Sequence, residues 1–422
     1  MPTLPATPTP ATQRSILLLS FATFTSMASQ RICDAMLPEL SRGFAVSLAQ
    51  AAQVISVFAV VYGVLQLVYG PLGDRLGKYR VIAWATLGCS VGSGAAVFAT
   101  SLDLLLLSRV MVALGAAAII PLTLAWVGDT APAGQLQETI ARVGLGTALG
   151  VGSGPLVGGI LTDTLGWRWA FGVLAVLYGV VGLLLLADLR RQQQRAALQP
   201  GAAAGSSASH PRPGFARQAC AILASPWSRT VLVVGLVEGA AAFGVLAIWA
   251  SHLHGALGFS ISAAGAIVAL FGAGGVLYMA SARQVIRRLR QPELVLLGTG
   301  LVFVSALVIA FTPWRWLTLP ASLVAGCGFF GFHNVMQANA AQMAPAARGT
   351  AVSLFAAALF TGQSVGVLLA ASLAERVGAG RVIALGGGAL MLLGWAFSRA
   401  LRRRAGVGAV SQGGETKKQP RP

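Results

Sequence analysis

Runs of about twenty apolar residues recur twelve times along this chain and leave it few ways to fold. A bilayer core of roughly 30 Å needs about 20 apolar residues per helix. The runs fall near residues 15–39, 49–70, 81–100, 104–127, 140–162 and 169–188. A second group falls near 229–250, 261–281, 293–312, 317–341, 350–373 and 381–399. Inside lipid a backbone must satisfy its own hydrogen bonds, so each run is expected to be a helix. Of 422 residues 56% are hydrophobic and 10% are charged. A soluble domain carries roughly 25% charged residues, so the bilayer is the expected solvent. The 52 glycines agree, because glycine lets membrane helices approach closely. The fold class predicted is an all-α membrane protein with twelve transmembrane helices.

The polar segments divide the chain. Residues 1–14, rich in Pro and Thr, read as a disordered tail. Ser26-Met27-Ala28 loosely resembles a leader cleavage site, but removing the first run would cost a span that the pattern needs. Residues 189–228 form the one long polar stretch and read as a flexible linker, leaving six-helix bundles at 15–188 and 229–399. Residues 400–422 read as a basic tail. With the N-terminus inside, 23 of the 30 Lys and Arg fall on inner segments and five on outer ones. The positive-inside rule then puts both termini in the cytoplasm. The net charge of +18 therefore reflects topology and implies no nucleic-acid partner. Cys33, Cys89, Cys220 and Cys327 lie far apart, so no metal or redox site is expected.

Three patterns carry chemistry. Between the second and third runs lies Gly70-Pro71-Leu72-Gly73-Asp74-Arg75-Leu76-Gly77-Lys78-Tyr79-Arg80. Its glycines allow a tight turn, Asp74 suits a helix start, and the cations suit an anionic surface. An ordinary basic loop would look much the same. In the fifth run Gly150, Gly154 and Gly158 repeat every four residues beside Pro155 and Gly159, giving a flat, kinked helix face.

The third pattern is a set of ionisable or polar groups within the apolar runs, where they are costly and default to function. Asp34 and Arg109 each lie about six residues, or roughly 9 Å, from the outer ends of their runs, so they could pair. Arg31, one turn before Asp34, could pair with it as well. Glu238 sits near mid-membrane with no Lys or Arg within a turn, so it is expected to carry its proton when the site is empty. That suits a proton carrier or a ligand for a cationic substrate. His333, Asn334 and Gln337 share one helix face, with Asn339 nearby and Gln363 in the next run. These could line a substrate cavity or simply bridge helices. His252 and His254 read as a solvated rim.

The segment from Gly70 to Arg80 closely resembles the signature of the major facilitator superfamily. The resemblance implies a conformational latch carried by Gly70, Gly73, Asp74, Arg75, Gly77, Lys78 and Arg80. The matching loop of the second half, Arg283 to Arg290, keeps the arginines without the Gly-Asp-Arg core. Gly150, Gly154, Pro155, Gly158 and Gly159 resemble the antiporter motif of the twelve-span drug–proton antiporters, although Ala141 stands where that family has glycine and Gly144 and Gly146 are off its register. Asp34 with Pro38, and Arg109 with Gly115, resemble elements that the same family associates with proton coupling. Arg31 is an additional cation.

The resemblance implies a major facilitator fold with two six-helix bundles and a cavity lined by spans one, four, seven and ten. It implies export of drugs or other amphipathic molecules against protons, by a monomer in a bacterial inner membrane. Its partners would be a small-molecule substrate, protons and the bilayer, with no cofactor. An exporter of one metabolite, such as a sugar or amino acid, and a transport-inactive sensor remain open. No nucleophile–base or metal cluster suggests an enzyme.

Overall fold

The computed structural model describes residues 10–131, 135–197 and 214–415. Twelve of its helices are long and apolar enough to cross a membrane. Spans one to six are Thr12–Asp34, Leu48–Leu76, Lys78–Val97, Leu102–Thr130, Glu138–Thr164 and Trp167–Arg195. Spans seven to twelve are Pro226–Gly255, Ile261–Arg288, Gln291–Phe311, Arg315–Gln342, Pro345–Val377 and Ala379–Arg404. The chain is a multi-pass membrane protein.

The packing repeats itself six spans on. Span one packs on span five as seven does on eleven, two on four as eight does on ten, and three on six as nine does on twelve. The two bundles meet along two equivalent seams, five against eight and eleven against two. The start of span one, the end of span twelve and the basic turns around Arg75 and Arg287 share one end of the molecule, called here the basic end.

The helix ends differ from expectation. The first helix starts at Pro10, so residues 10–14 are helical, because proline is tolerated in a first turn where its missing N–H would be unpaired anyway. The sixth helix runs on to Ala197, since Arg, Gln and Ala are good helix formers whether lipid or water surrounds them. A short helix, Phe215–Ala224, precedes span seven, and the last helix continues to Glu415. The rest of the expected tails and linker, residues 1–9, 198–213 and 416–422, lies outside the described residues. Span one ends early, at Asp34, in a single 3-10 turn. Pro38 disfavours helix before it and opens a separate helix, Leu37–Gly43.

The end opposite the basic one is clasped across both seams. Ser260 caps span eight, and two residues on the Ser262 N–H donates to Asp163 of span five at 2.6 Å. Ser47 caps span two, and two residues on the Ala49 N–H donates to Glu375 of span eleven at 2.8 Å. Each acid thus takes an N–H that the first turn of a helix cannot pair internally. Deeper in the second seam, Ser56 and Ser364 hydroxyls lie 2.7 Å apart.

Candidate functional site: a cavity between the bundles

Span five is bare on two faces. On one, Gly146, Gly150, Gly154 and Gly158 rest against the backbone of span one at Ser20, Phe24, Ala28 and Ile32. A Cβ at any of the four would collide there. On the other face Gly152 and Gly159 meet span eight at Gly272 and Ile261, and Gly265 of span eight sits on the Pro155 carbonyl. The expected glycine face is thus a seat for span one, while Gly159 and Pro155 belong to the inter-bundle seam. Gly146 completes the four-residue spacing that the family register excludes.

The segment from Gly70 to Arg80 is not the loop expected. Span two continues through Leu76, carrying Gly70, Gly73, Asp74 and Arg75 on helix, and the turn is Gly77 alone, at φ +87°. A side chain there would be strained, whereas at Gly73 a Cβ would meet the end of the Leu122 side chain, which would have to shift. Asp74 is near a helix C-terminus and caps nothing. Its partner is Lys78, at 3.4 Å, which also meets Asp129 of span four at 2.5 Å. Arg75 and Arg80 are exposed. These ion pairs all join spans of the first bundle.

Between the bundles lies a cavity of about 350 Å³, within the range of small-molecule sites. Its lining starts at mid-span and runs toward the basic end, away from the clasps. Spans one, four, seven and ten line it as expected, and spans two, five, eight and eleven do too. Most of the wall is apolar: Phe243, Phe329, Phe330, Phe355 and Phe360 contribute rings. His333, Asn334, Gln337 and Gln363 are on it, with Gln30, Arg31, Tyr62, Gln66 and Tyr278. Asn339 faces away and bonds Gln291 of span nine.

Glu238 is neither unpaired nor on the cavity wall. It is fully buried, and its Oε1 lies 2.6 Å from Nδ1 of His333, on span ten. The Gln337 amide lies 2.9 Å from the other ring nitrogen. If that amide nitrogen donates, the ring proton sits on Nδ1 and is donated to the carboxylate. His333 stacks on Phe329, ring centres 5.5 Å apart, and forms the cavity-facing end of the pair. Glu238 Oε2 has no hydrogen-bond partner among the described residues, so a further proton has somewhere to go. Directly after Glu238 the helix widens into one π turn, Gly239–Gly244, a feature frequent at functional sites.

Asp34 is buried and pairs with Arg31 at 2.7 Å, not with Arg109. Arg109, equally buried, donates from Nε to the Val54 carbonyl and from Nη2 to the Ser29 carbonyl and lies over the Phe58 ring at 4.3 Å, while its Nη1 has no partner among the described residues. It fastens spans one, two and four, and depth matching alone could not show this. His252 is buried and bonds the Ile309 carbonyl, so it is no solvated rim. His254 bonds the Phe259 carbonyl.

Twelve spans, a six-span packing repeat and a central cavity define a multi-pass membrane protein built of two like bundles. The family model described as Major Facilitator Superfamily matches residues 19–366. The chain belongs to that superfamily. It is 26% identical over 179 residues to the multidrug export protein EmrB of Escherichia coli (strain K12), covering 42% of this chain and 35% of that one. It is 26% identical over 171 residues to the riboflavin transporter RibZ of Clostridioides difficile (strain 630), covering 39% and 38%. The chain thus spans about a third of the length of these relatives. Among solved structures, a bacterial homologue of the human lysosomal transporter Spinster, inward-facing and unoccupied, superposes with a TM-score of 0.72 at 16% identity, over 93% of this chain and 96% of that one. The nucleoside transporter NupG superposes at 0.68 with 14% identity, over 91% and 97%. At such identity these two speak for the fold alone.

Proposed function

We propose that this protein is a proton-coupled exporter of small amphipathic molecules that works as a monomer by alternating access. The observation carrying this reading is the cavity itself: aromatic walls between two bundles, backed by two buried acids each paired with a base on the wall, Asp34 with Arg31 and Glu238 with His333. Names among the relatives, multidrug export protein EmrB and probable multidrug resistance protein EmrY, point to the same class. With the basic end in the cytoplasm, the cavity opens inward and the clasps close the outer side of a bacterial inner membrane. Asp34 and Glu238 are the proton-carrying groups of this reading, and the Lys78 pairs with Asp74 and Asp129 steady the first bundle as the inner end opens and shuts.

The test uses purified protein in proteoliposomes holding an interior pH dye, with an inward proton gradient and a panel of amphipathic drugs. Wild-type protein moves protons when a substrate is added. Asp34→Asn keeps substrate exchange between equal concentrations but loses uphill transport at least tenfold. Substrate movement that ignores the proton gradient in wild-type protein overturns the coupling.

A further inference from the structure

We infer that the cavity selects organic anions: aromatic molecules carrying a carboxylate or similar oxyanion, which docks on the guanidinium of Arg31. This rests on the transporter reading above and narrows it to a substrate class.

Charge and hydrogen-bonding capacity on the wall both favour an anion. Arg31 is the one formally charged side chain lining the cavity among the described residues. Both nearby carboxylates are screened from the space: Asp34 lies behind Arg31, and Glu238 lies behind His333. Neither lines the cavity. The unmet polar atoms of the wall point the same way. All three guanidinium nitrogens of Arg31 and both oxygens of Asp34 lack a well-formed hydrogen bond among the described residues. The pair meets as a close charge contact through Nη2 that leaves Nε and Nη1 unmet, and the side-chain nitrogens of Gln30 and Gln363 are unmet as well. An amide can be turned over to present its oxygen, but a guanidinium offers only donors. Buried donors of this kind demand an acceptor, and a charged acceptor satisfies them best.

The rest of the wall says what the anion is attached to. Phe243 lies against Arg31, its ring centre 5.3 Å from the guanidinium carbon. Phe329, Phe330, Phe355 and Phe360 continue the apolar surface. A planar ring fills that space while its carboxylate reaches Arg31. A lipophilic cation would meet the guanidinium before the carboxylate behind it and finds no acid on the wall to pair with.

The anion also competes with Asp34 for one guanidinium. Removing the charge of Asp34 should therefore strengthen anion binding, an effect that a purely structural Arg31–Asp34 pair would not produce.

The experiment compares three probes of one shape by calorimetry on purified wild-type protein at neutral pH: naphthoate, naphthamide and naphthylmethyl-trimethylammonium. Naphthoate is expected to bind about tenfold or more tighter than the amide, the size of a charge-assisted hydrogen bond, with the ammonium weakest. Asp34→Asn raises naphthoate affinity several-fold and leaves the amide unchanged. Arg31→Gln alone would strand a buried carboxylate, so the informative variant is Arg31→Gln with Asp34→Asn, a neutral pair of similar shape. It binds amide and naphthoate equally. Amide binding equal to naphthoate in wild-type protein, or the ammonium bound tightest, overturns the anion assignment and leaves the transporter reading standing. Failure of all three probes to bind at millimolar concentration overturns both.

Discussion

The carboxyl of Glu238 shows how far a single residue can be read from sequence. Its place in an apolar run foretells an enclosed side chain, and Glu238 is fully buried. Its partner does not follow, because His333 lies 95 positions away on another span and local spacing carries no trace of it. The pair has one consequence that the isolated carboxyl lacks. Glu238→Gln keeps an oxygen for the His333 ring proton but removes the group that can gain or lose a proton. We expect substrate counterflow to survive and pH-driven uphill transport to fall at least tenfold in reconstituted vesicles. His333→Phe should do more, since it strips the carboxylate of its one partner among the described residues and leaves it exposed to the cavity. Measured by calorimetry, cationic probes should then gain affinity over anionic ones. Arg109 is the contrary case: its depth suggested a pairing with Asp34, yet its contacts are with backbone carbonyls and a ring. Arg109→Lys, keeping the charge without the planar fork, is expected to lower the melting temperature in detergent by several degrees, because a lysine cannot reach both carbonyls.

At the scale of the element, span five was half legible. The glycines at 150, 154 and 158 announce a flat face by their spacing, and Gly146 extends the same arithmetic by one step. What spacing cannot say is which neighbour each face receives. Gly152 and Gly159 sit on the side facing the other bundle, and nothing in the run marks them as different. The two faces should fail differently. Gly154→Val pushes a side chain into the carbonyl of Ala28 and is expected to cost about 1–3 kcal/mol, the usual range for overpacking. Its signature is a lower melting temperature. Gly159→Val pushes against the carbonyl of Ile261 across the seam, where a rigid bundle can step aside. Melting should change little, while the state clasped at this end becomes rarer. The signature segment from Gly70 to Arg80 teaches the same lesson. Its glycines suggested a turn, but Gly70 and Gly73 lie on helix, Gly73 packed against the Leu122 side chain, and the chain turns at Gly77.

Taken whole, the molecule is two copies of one six-span plan, and the twelve apolar runs made that plan readable before any contact was known. Helix ends were less readable, because arginine, glutamine and alanine continue a helix out of the bilayer as readily as they would begin a loop. The clasps were not readable at all: Asp163 and Glu375 look like ordinary acids at span ends, and their role depends on a neighbour from the other half. Each bonds a helix N-terminus, worth about 0.3–1 kcal/mol for an exposed acid. Asp163→Asn together with Glu375→Gln should therefore shift the balance between the two ends by roughly three- to thirtyfold. A cysteine at Ala52, buried near the clasped end, reports this through faster labelling by a membrane-impermeant maleimide in a background without other cysteines. Labelling at the wild-type rate would show that the acids do not hold that end shut.

The two clasps sit at equivalent points of the two halves, and each half supplies one acid and one helix start. Fastened at both points, the halves cannot swivel. Cut at one, the surviving bond becomes a pivot, and the far seam is free to gape like a door on a single hinge. The two single variants should then open opposite seams, Asp163→Asn the five–eight side and Glu375→Gln the two–eleven side, giving two half-open forms that a pair of spin labels across each seam would tell apart.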